Sequence, residues 1–106
     1  SWSGPPLSAW EDEDAVTVEL DAPGVAEADV DVSVHQNQLV IRGERKCGRP
    51  GAGFDTRSYG RFEQRIGLPA AVDADRVTAR LAHGVLTVTC PKCDAAKPRR
   101  IAITAG

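Results

Sequence analysis

The chain contains no methionine at all. It carries no initiator of its own: either that residue was removed ahead of Ser1 or, as we expect, further residues precede Ser1 in a longer chain. Aromatic residues are also scarce, at 5% of the sequence, so any core has to be built mainly from aliphatic side chains. Cysteine occurs three times. An odd count disfavours a disulfide-stapled secreted domain and points to a reducing compartment, the cytoplasm. No apolar run approaches membrane-spanning length, and no charged-then-apolar leader opens the chain, so no membrane span is expected. Charge of one sign does not dominate: 13 Lys and Arg stand against 15 Asp and Glu, for a net charge of -2. A dedicated nucleic-acid binder would show a basic excess on one face, so nucleic acid is not an expected partner. No Ser/His/Asp or Cys/His arrangement and no phosphate-cradling glycine motif is legible, so neither enzymatic activity nor a cofactor is expected.

What remains is a 106-residue chain that is 42% hydrophobic. That length suits one domain burying roughly 65% of its unfolded surface. The apolar residues recur with period two, not 3.6. Val16, Val18 and Leu20 alternate with Thr17 and Glu19; Val30, Val32 and Val34 alternate with Asp31 and Ser33. Between them, Pro23 and Gly24 mark a turn. A polar turn at residues 35–38 leads to a short strand at 39–42, closed by Gly43. Phe62, Ile66 and Leu68 alternate up to Pro69. Two last strands, 76–81 and 85–90, flank His83-Gly84, where glycine supplies a positive φ for tight reversal. Seven or more short strands at this spacing predict an all-β, antiparallel, immunoglobulin-like β-sandwich.

Other segments resist this pattern. Residues 1–8 read as a loose Gly/Pro/Ser arm with Trp2 and Leu7 as docking points. The run Glu11-Asp12-Glu13-Asp14 reads as a solvated acidic turn. Residues 46–60 form a long polar loop, of a length usually functional or mobile. Behind the basic stretch Lys97-Pro98-Arg99-Arg100 comes Ile101-Ala102-Ile103, either a free apolar tail or a final strand on the domain's own sheet.

The order of these features resembles the α-crystallin domain of the small heat-shock proteins, of the bacterial and plant type. The resemblance runs from about Trp10 to Ile103. It is carried by Val18-Glu19-Leu20-Asp21-Ala22-Pro23-Gly24-Val25, by Leu39-Val40-Ile41-Arg42-Gly43-Glu44-Arg45, and by Arg57-Ser58-Tyr59-Gly60-Arg61-Phe62 followed by Leu68-Pro69. The signature Ala79 to Leu86, with its polar-Gly-Val-Leu ending, and the Ile-x-Ile tail complete it. Two departures stand out. Where the family often has Arg two residues after this Phe, the chain has Gln64, and only the short arm from Trp2 to Trp10 replaces a long apolar N-terminal region.

The resemblance implies an ATP-independent holdase chaperone that binds partly unfolded client proteins and limits their aggregation. It implies a division into a residual arm at 1–9, the α-crystallin domain at 10–92 and a C-terminal extension at 93–106. It implies a groove, between strands 30–34 and 76–81, that receives the Ile101 and Ile103 tail of a neighbouring subunit; Val30, Val32, Val77, Ala79 and Leu81 are its expected lining. Relatives also exchange the long loop between protomers to pair with an early strand of the partner, here around residues 7–10. The expected contacts are Phe54, Arg57 and Tyr59, in a homodimer that builds larger homo-oligomers. The alternative is a β-sandwich co-chaperone or adaptor that binds one folded partner. Cys90-Pro91-Lys92-Cys93 has a metal- or redox-like spacing, but only Cys47, His35 or His83 could complete a zinc site, and no metal is expected.

Overall fold

The structure, a computed structural model, describes residues 4–46, 51, 53, 54 and 58–106. Seven strands are formed: β1 (Leu7–Glu11), β2 (Ala15–Asp21), β3 (Val30–His35), β4 (Gln38–Arg45), β5 (Gly60–Gly67), β6 (Thr78–Ala82) and β7 (Val85–Pro91). Short 3-10 turns lie at Glu27–Asp29, Ala74–Arg76 and Asp94–Ala96. All strand pairings are antiparallel, in a four-stranded sheet of order β1-β2-β7-β6 and a three-stranded sheet of order β3-β4-β5.

The period-two pattern decides which faces meet. In β2, Val16, Val18 and Leu20 point inward and sit opposite Cys90, Val88 and Leu86 of β7. All six are buried, as are Leu39 and Ile41 of β4 and Phe62 of β5, and together they form the core between the sheets. The scarcity of aromatics is met by β-branched and leucine side chains, which pack well on a pleated surface. Phe62 has a particular partner. It lies directly opposite Gly43, where an added Cβ would come within 2.5 Å of its ring. The ring covers the glycine, and the pair closes one end of the core.

Two hairpins turn on two residues of positive φ each. His83 and Gly84 (φ 53° and 74°) join β6 to β7, and Gln36 and Asn37 (φ 50° and 58°) join β3 to β4. Such turns match the right-handed twist of the flanking strands. The second contains no glycine and is held from outside. The Asn37 amide donates to the carbonyls of Leu68 and Ala70 at 3.3 and 2.9 Å, and its oxygen accepts from the Val72 N–H at 3.2 Å. One side chain therefore ties the β3–β4 turn to the segment leaving β5.

Two expectations are corrected. The N-terminal arm is not loose where it is described: Pro5 is buried, Gln64 Nε2 donates to its carbonyl at 3.2 Å, and Leu7 already begins β1. Trp2 lies outside the described residues. The acidic run is the exposed turn expected, and it also makes specific contacts. Glu11 pairs at 2.7 Å with Lys92, whose side chain is 7% exposed, and the Asp12 carboxylate accepts from the N–H groups of Asp14 and Ala15 at 2.7 and 2.9 Å. Those two backbone bonds hold the Asp12 carboxyl below its usual range. The last correction is that the strand expected from Arg76 starts at Thr78, because residues 74–76 form a 3-10 turn in which the Asp73 carboxylate accepts from the Asp75 N–H.

Candidate binding groove

β3 ends the three-stranded sheet and β6 ends the four-stranded sheet, and each has one edge without a strand partner among the described residues. Those two edges lie on the same flank of the sandwich. Between them is a groove with a cavity of about 280 Å³. Its apolar lining is Val30 and Val32 from β3, Ala79 and Leu81 from β6, and Leu86 from the start of β7. Val30, Val32 and Leu81 are half-buried and Ala79 is exposed, so apolar surface is accessible there rather than sealed into the core. The volume is below the usual range for small-molecule pockets and suits one or two aliphatic side chains.

Of the five residues expected to line the groove, four meet at this cavity. Val77 does not; it caps the 3-10 turn ahead of β6 and packs against the core. Three lining residues were not expected: Leu86, and the carboxylate-bearing Glu27 and Asp31 at the rim. Leu86 was readable only as a core position, and Glu27 belongs to a turn that strand periodicity does not signal.

The C-terminal segment is the second component. Beyond Ala96 the chain has no regular secondary structure, and Ile101 and Ile103 are 84% and 96% exposed. They do not form a final strand on their own sheet. The root of this segment is fixed, however: the Cys93 N–H donates to the Ala71 carbonyl, and the Lys92 N–H to that of Asp14.

The expected dimer contacts are only partly in view. Phe54 is 88% exposed, Tyr59 is half-buried, and Arg57 lies outside the described residues. Cys47, one possible ligand for a zinc site, also lies outside them. Among the described residues no group of three or more His, Cys, Asp or Glu is placed to hold a metal ion. Cys90 and Cys93 are free, and burial pushes the Cys90 thiol up, away from the thiolate a redox or metal centre requires. Gln64, at the position where relatives often carry arginine, binds the N-terminal arm through the Pro5 carbonyl. No described helix is long and apolar enough to cross a membrane.

Comparison with known proteins agrees with this arrangement. The model of the Hsp20/alpha crystallin family matches residues 8–104. The chain is 33% identical to heat shock protein 16 of Schizosaccharomyces pombe, over 91% of this chain and 71% of that protein. It is 36% identical to a chloroplastic small heat shock protein of Solanum lycopersicum, over 87% of this chain but only 40% of that protein. Among solved structures, a small heat-shock protein from Xylella fastidiosa superposes with a TM-score of 0.77 at 35% identity, covering 95% of this chain and 96% of that one. A β-sandwich with an open groove, an isoleucine tail and a family match over almost its whole length places this chain in the Hsp20/alpha crystallin family, the small heat shock proteins, which are non-enzymatic chaperones.

Proposed function

We propose that this chain acts as an ATP-independent holdase, keeping partly unfolded proteins from aggregating by lending them apolar surface at the β3–β6 groove. The observation that carries this reading is the pairing of an accessible apolar groove with an exposed Ile-x-Ile segment in the same chain. Two free strand edges flank the groove, so an extended segment could add backbone hydrogen bonds to its side-chain contacts.

In this reading the groove is capped by the tail of a neighbouring subunit, with Val30, Val32, Ala79 and Leu81 receiving Ile101 and Ile103 and Val77 supporting them from the core. Ile101 and Ile103 stand exposed and do not line this chain's own groove, which leaves them available to a neighbour. Burying two isoleucines yields about 1.5–3 kcal/mol each, whereas association costs about 4–15 kcal/mol. A single tail is therefore a weak, exchangeable cap, and several tails in one assembly act together through effective concentration. The Xylella fastidiosa protein has a distinct high order structure. We assign a homo-oligomer to this protein as well, built on a homodimer in which the loop carrying Phe54, Arg57 and Tyr59 contacts the partner. Because β1 brings residues 7–9 into the sandwich, the arm is assigned to 1–6, the domain to 7–92 and the extension to 93–106. Cytoplasmic placement rests on the cysteine count.

The test is light scattering of a heated client protein without nucleotide. The chain at molar excess should suppress scattering, and an Ile101→Ser/Ile103→Ser variant should alter the suppression by freeing the groove. No suppression by either, together with stoichiometric binding of one folded protein, would establish the adaptor role instead.

A further inference from the structure

The groove has a charged rim with no ion-pair partner among the described residues. Glu27 and Asp31 both line the cavity, both are exposed, and neither makes an ion pair among the described residues. Nearby cations are engaged elsewhere. Arg42, directly across the β3–β4 ladder from Asp31, turns instead to Glu63 at 2.6 Å. Lys46 pairs with Asp29 at 3.3 Å, the carboxylate lying between the two rim residues in sequence. Arg61 pairs with Glu44 at 3.2 Å.

The tail carries the opposite pattern. Lys97 pairs with Asp94 at 3.5 Å, but Arg99 and Arg100 are exposed and make no ion pair among the described residues. Both immediately precede Ile101. In an extended segment successive side chains alternate, so with Ile101 and Ile103 turned into the groove, Arg99 lies on the same face and Arg100 on the other. They are about 7 and about 3.4 Å upstream of Ile101 along the chain, within reach of the rim for a long guanidinium side chain.

We propose that Glu27 and Asp31 form an acidic rim that recognises Arg99 and Arg100 in the tail of a second copy of this chain. The rim selects the cationic tail over an apolar segment without positive charge and makes its release sensitive to ionic strength. This inference rests on the tail-in-groove reading above and adds a determinant of its specificity. Exposed pairs of this kind are individually weak; two of them correspond to about three- to twentyfold in affinity at low salt. Screening removes most of that as the Debye length falls from about 10 Å at 0.1 M to about 3 Å at 1 M salt.

The experiment titrates a fluorescent peptide of residues 97–105 onto the full chain carrying Ile101→Ser and Ile103→Ser, so that its own tail does not compete. At about 50 mM salt, Arg99→Ala/Arg100→Ala in the peptide should weaken binding about three- to twentyfold, with the difference closing near 1 M. Glu27→Gln/Asp31→Asn in the chain should weaken the natural peptide similarly, with no further loss against the double-alanine peptide, as coupled groups require. A reversed pair, Glu27→Arg/Asp31→Arg with Arg99→Glu/Arg100→Glu, should restore affinity, which also shows that the variant chain is folded. If serine at 101 and 103 of the peptide abolishes binding while the arginine and rim variants bind like the natural pair at low salt, the rim is overturned and the groove reading stands. If the serine peptide binds as well as the natural one, the groove reading itself falls.

Discussion

Gly43 and Phe62 show how much of this fold depends on single positions. Gly43 lies in the middle of β4, where glycine weakens a strand by its entropy and its missing side chain. It is tolerated because the Phe62 ring occupies the space above it, leaving 2.5 Å between an added Cβ and the ring tip. Phe62 is buried core, so the ring has no free direction in which to retreat. Gly43→Ala should therefore destabilise the domain by about 1–3 kcal/mol, as overpacking does, measured as a shift of the urea midpoint. Adding Phe62→Leu to Gly43→Ala should recover part of that loss, and an unchanged midpoint for the single variant would refute the contact. Lys92 makes the same point with charge: its side chain is buried, and Glu11 from the distant acidic run supplies the counter-charge at 2.7 Å.

The β1–β2 hairpin turn shows what an acidic run does once folded. Asp12 accepts two backbone N–H groups, which hold its carboxyl below its ordinary value of 3.8. A carboxylate depressed in the folded state stabilises it fully above the unfolded pKa, and that contribution is lost as pH falls through the lower folded value. Asp12→Asn should therefore remove a stabilising increment present at neutral pH, and the difference from the parent should shrink as pH falls below 3.8. Thermal unfolding across that range measures it, and parallel curves for the two proteins would refute the assignment. Glu63 follows the same sign, held below its ordinary value by hydrogen bonds from Arg42 and Arg65. At the other end of the chain, the bonds from Cys93 to Ala71 and from Lys92 to Asp14 fix where the C-terminal extension leaves the sandwich. From that root the segment continues without regular secondary structure and leaves Ile101 and Ile103 exposed.

On the scale of the whole molecule, assembly is the property that links groove to function. The proposed dimer needs the long loop after β4. Deleting residues 51–58 should yield monomers by multi-angle light scattering while the intact chain remains dimeric; an unchanged dimer would locate the interface elsewhere. The sandwich should survive that deletion, because the buried core is drawn from β2, β4, β5 and β7 and from residues 22 and 25, and includes none of the described residues 51, 53, 54 and 58. Larger assemblies would then depend on the tails, whose individually weak docking permits exchange.

Much of this architecture is legible in the chain because period-two alternation leaves few options. Val16, Val18 and Leu20 must share a face in any strand, and the His83-Gly84 and Pro23-Gly24 pairs place turns where the structure has them. The family match over residues 8–104 agrees with the order of the same motifs. Alternation put Val30 with Val32 and Ala79 with Leu81 on shared faces, and the family resemblance named those faces as a groove. The ends of elements were less so: Arg76 continues an apparent strand in sequence, yet the Asp73 carboxylate bonded to the Asp75 N–H curls that segment into a 3-10 turn. The sequence by itself determined the β-sandwich and its core face, because these follow from side-chain period and local turn chemistry. Only the tertiary structure decided that Gln64 holds the arm, that Glu11 answers a buried Lys92, that Asn37 clamps residues 68–72, and that Glu27 and Asp31 stand beside the groove with no ion pair among the described residues. Each of those depends on groups far apart in the chain meeting across sheets, and no local pattern encodes which charge or amide finds which partner.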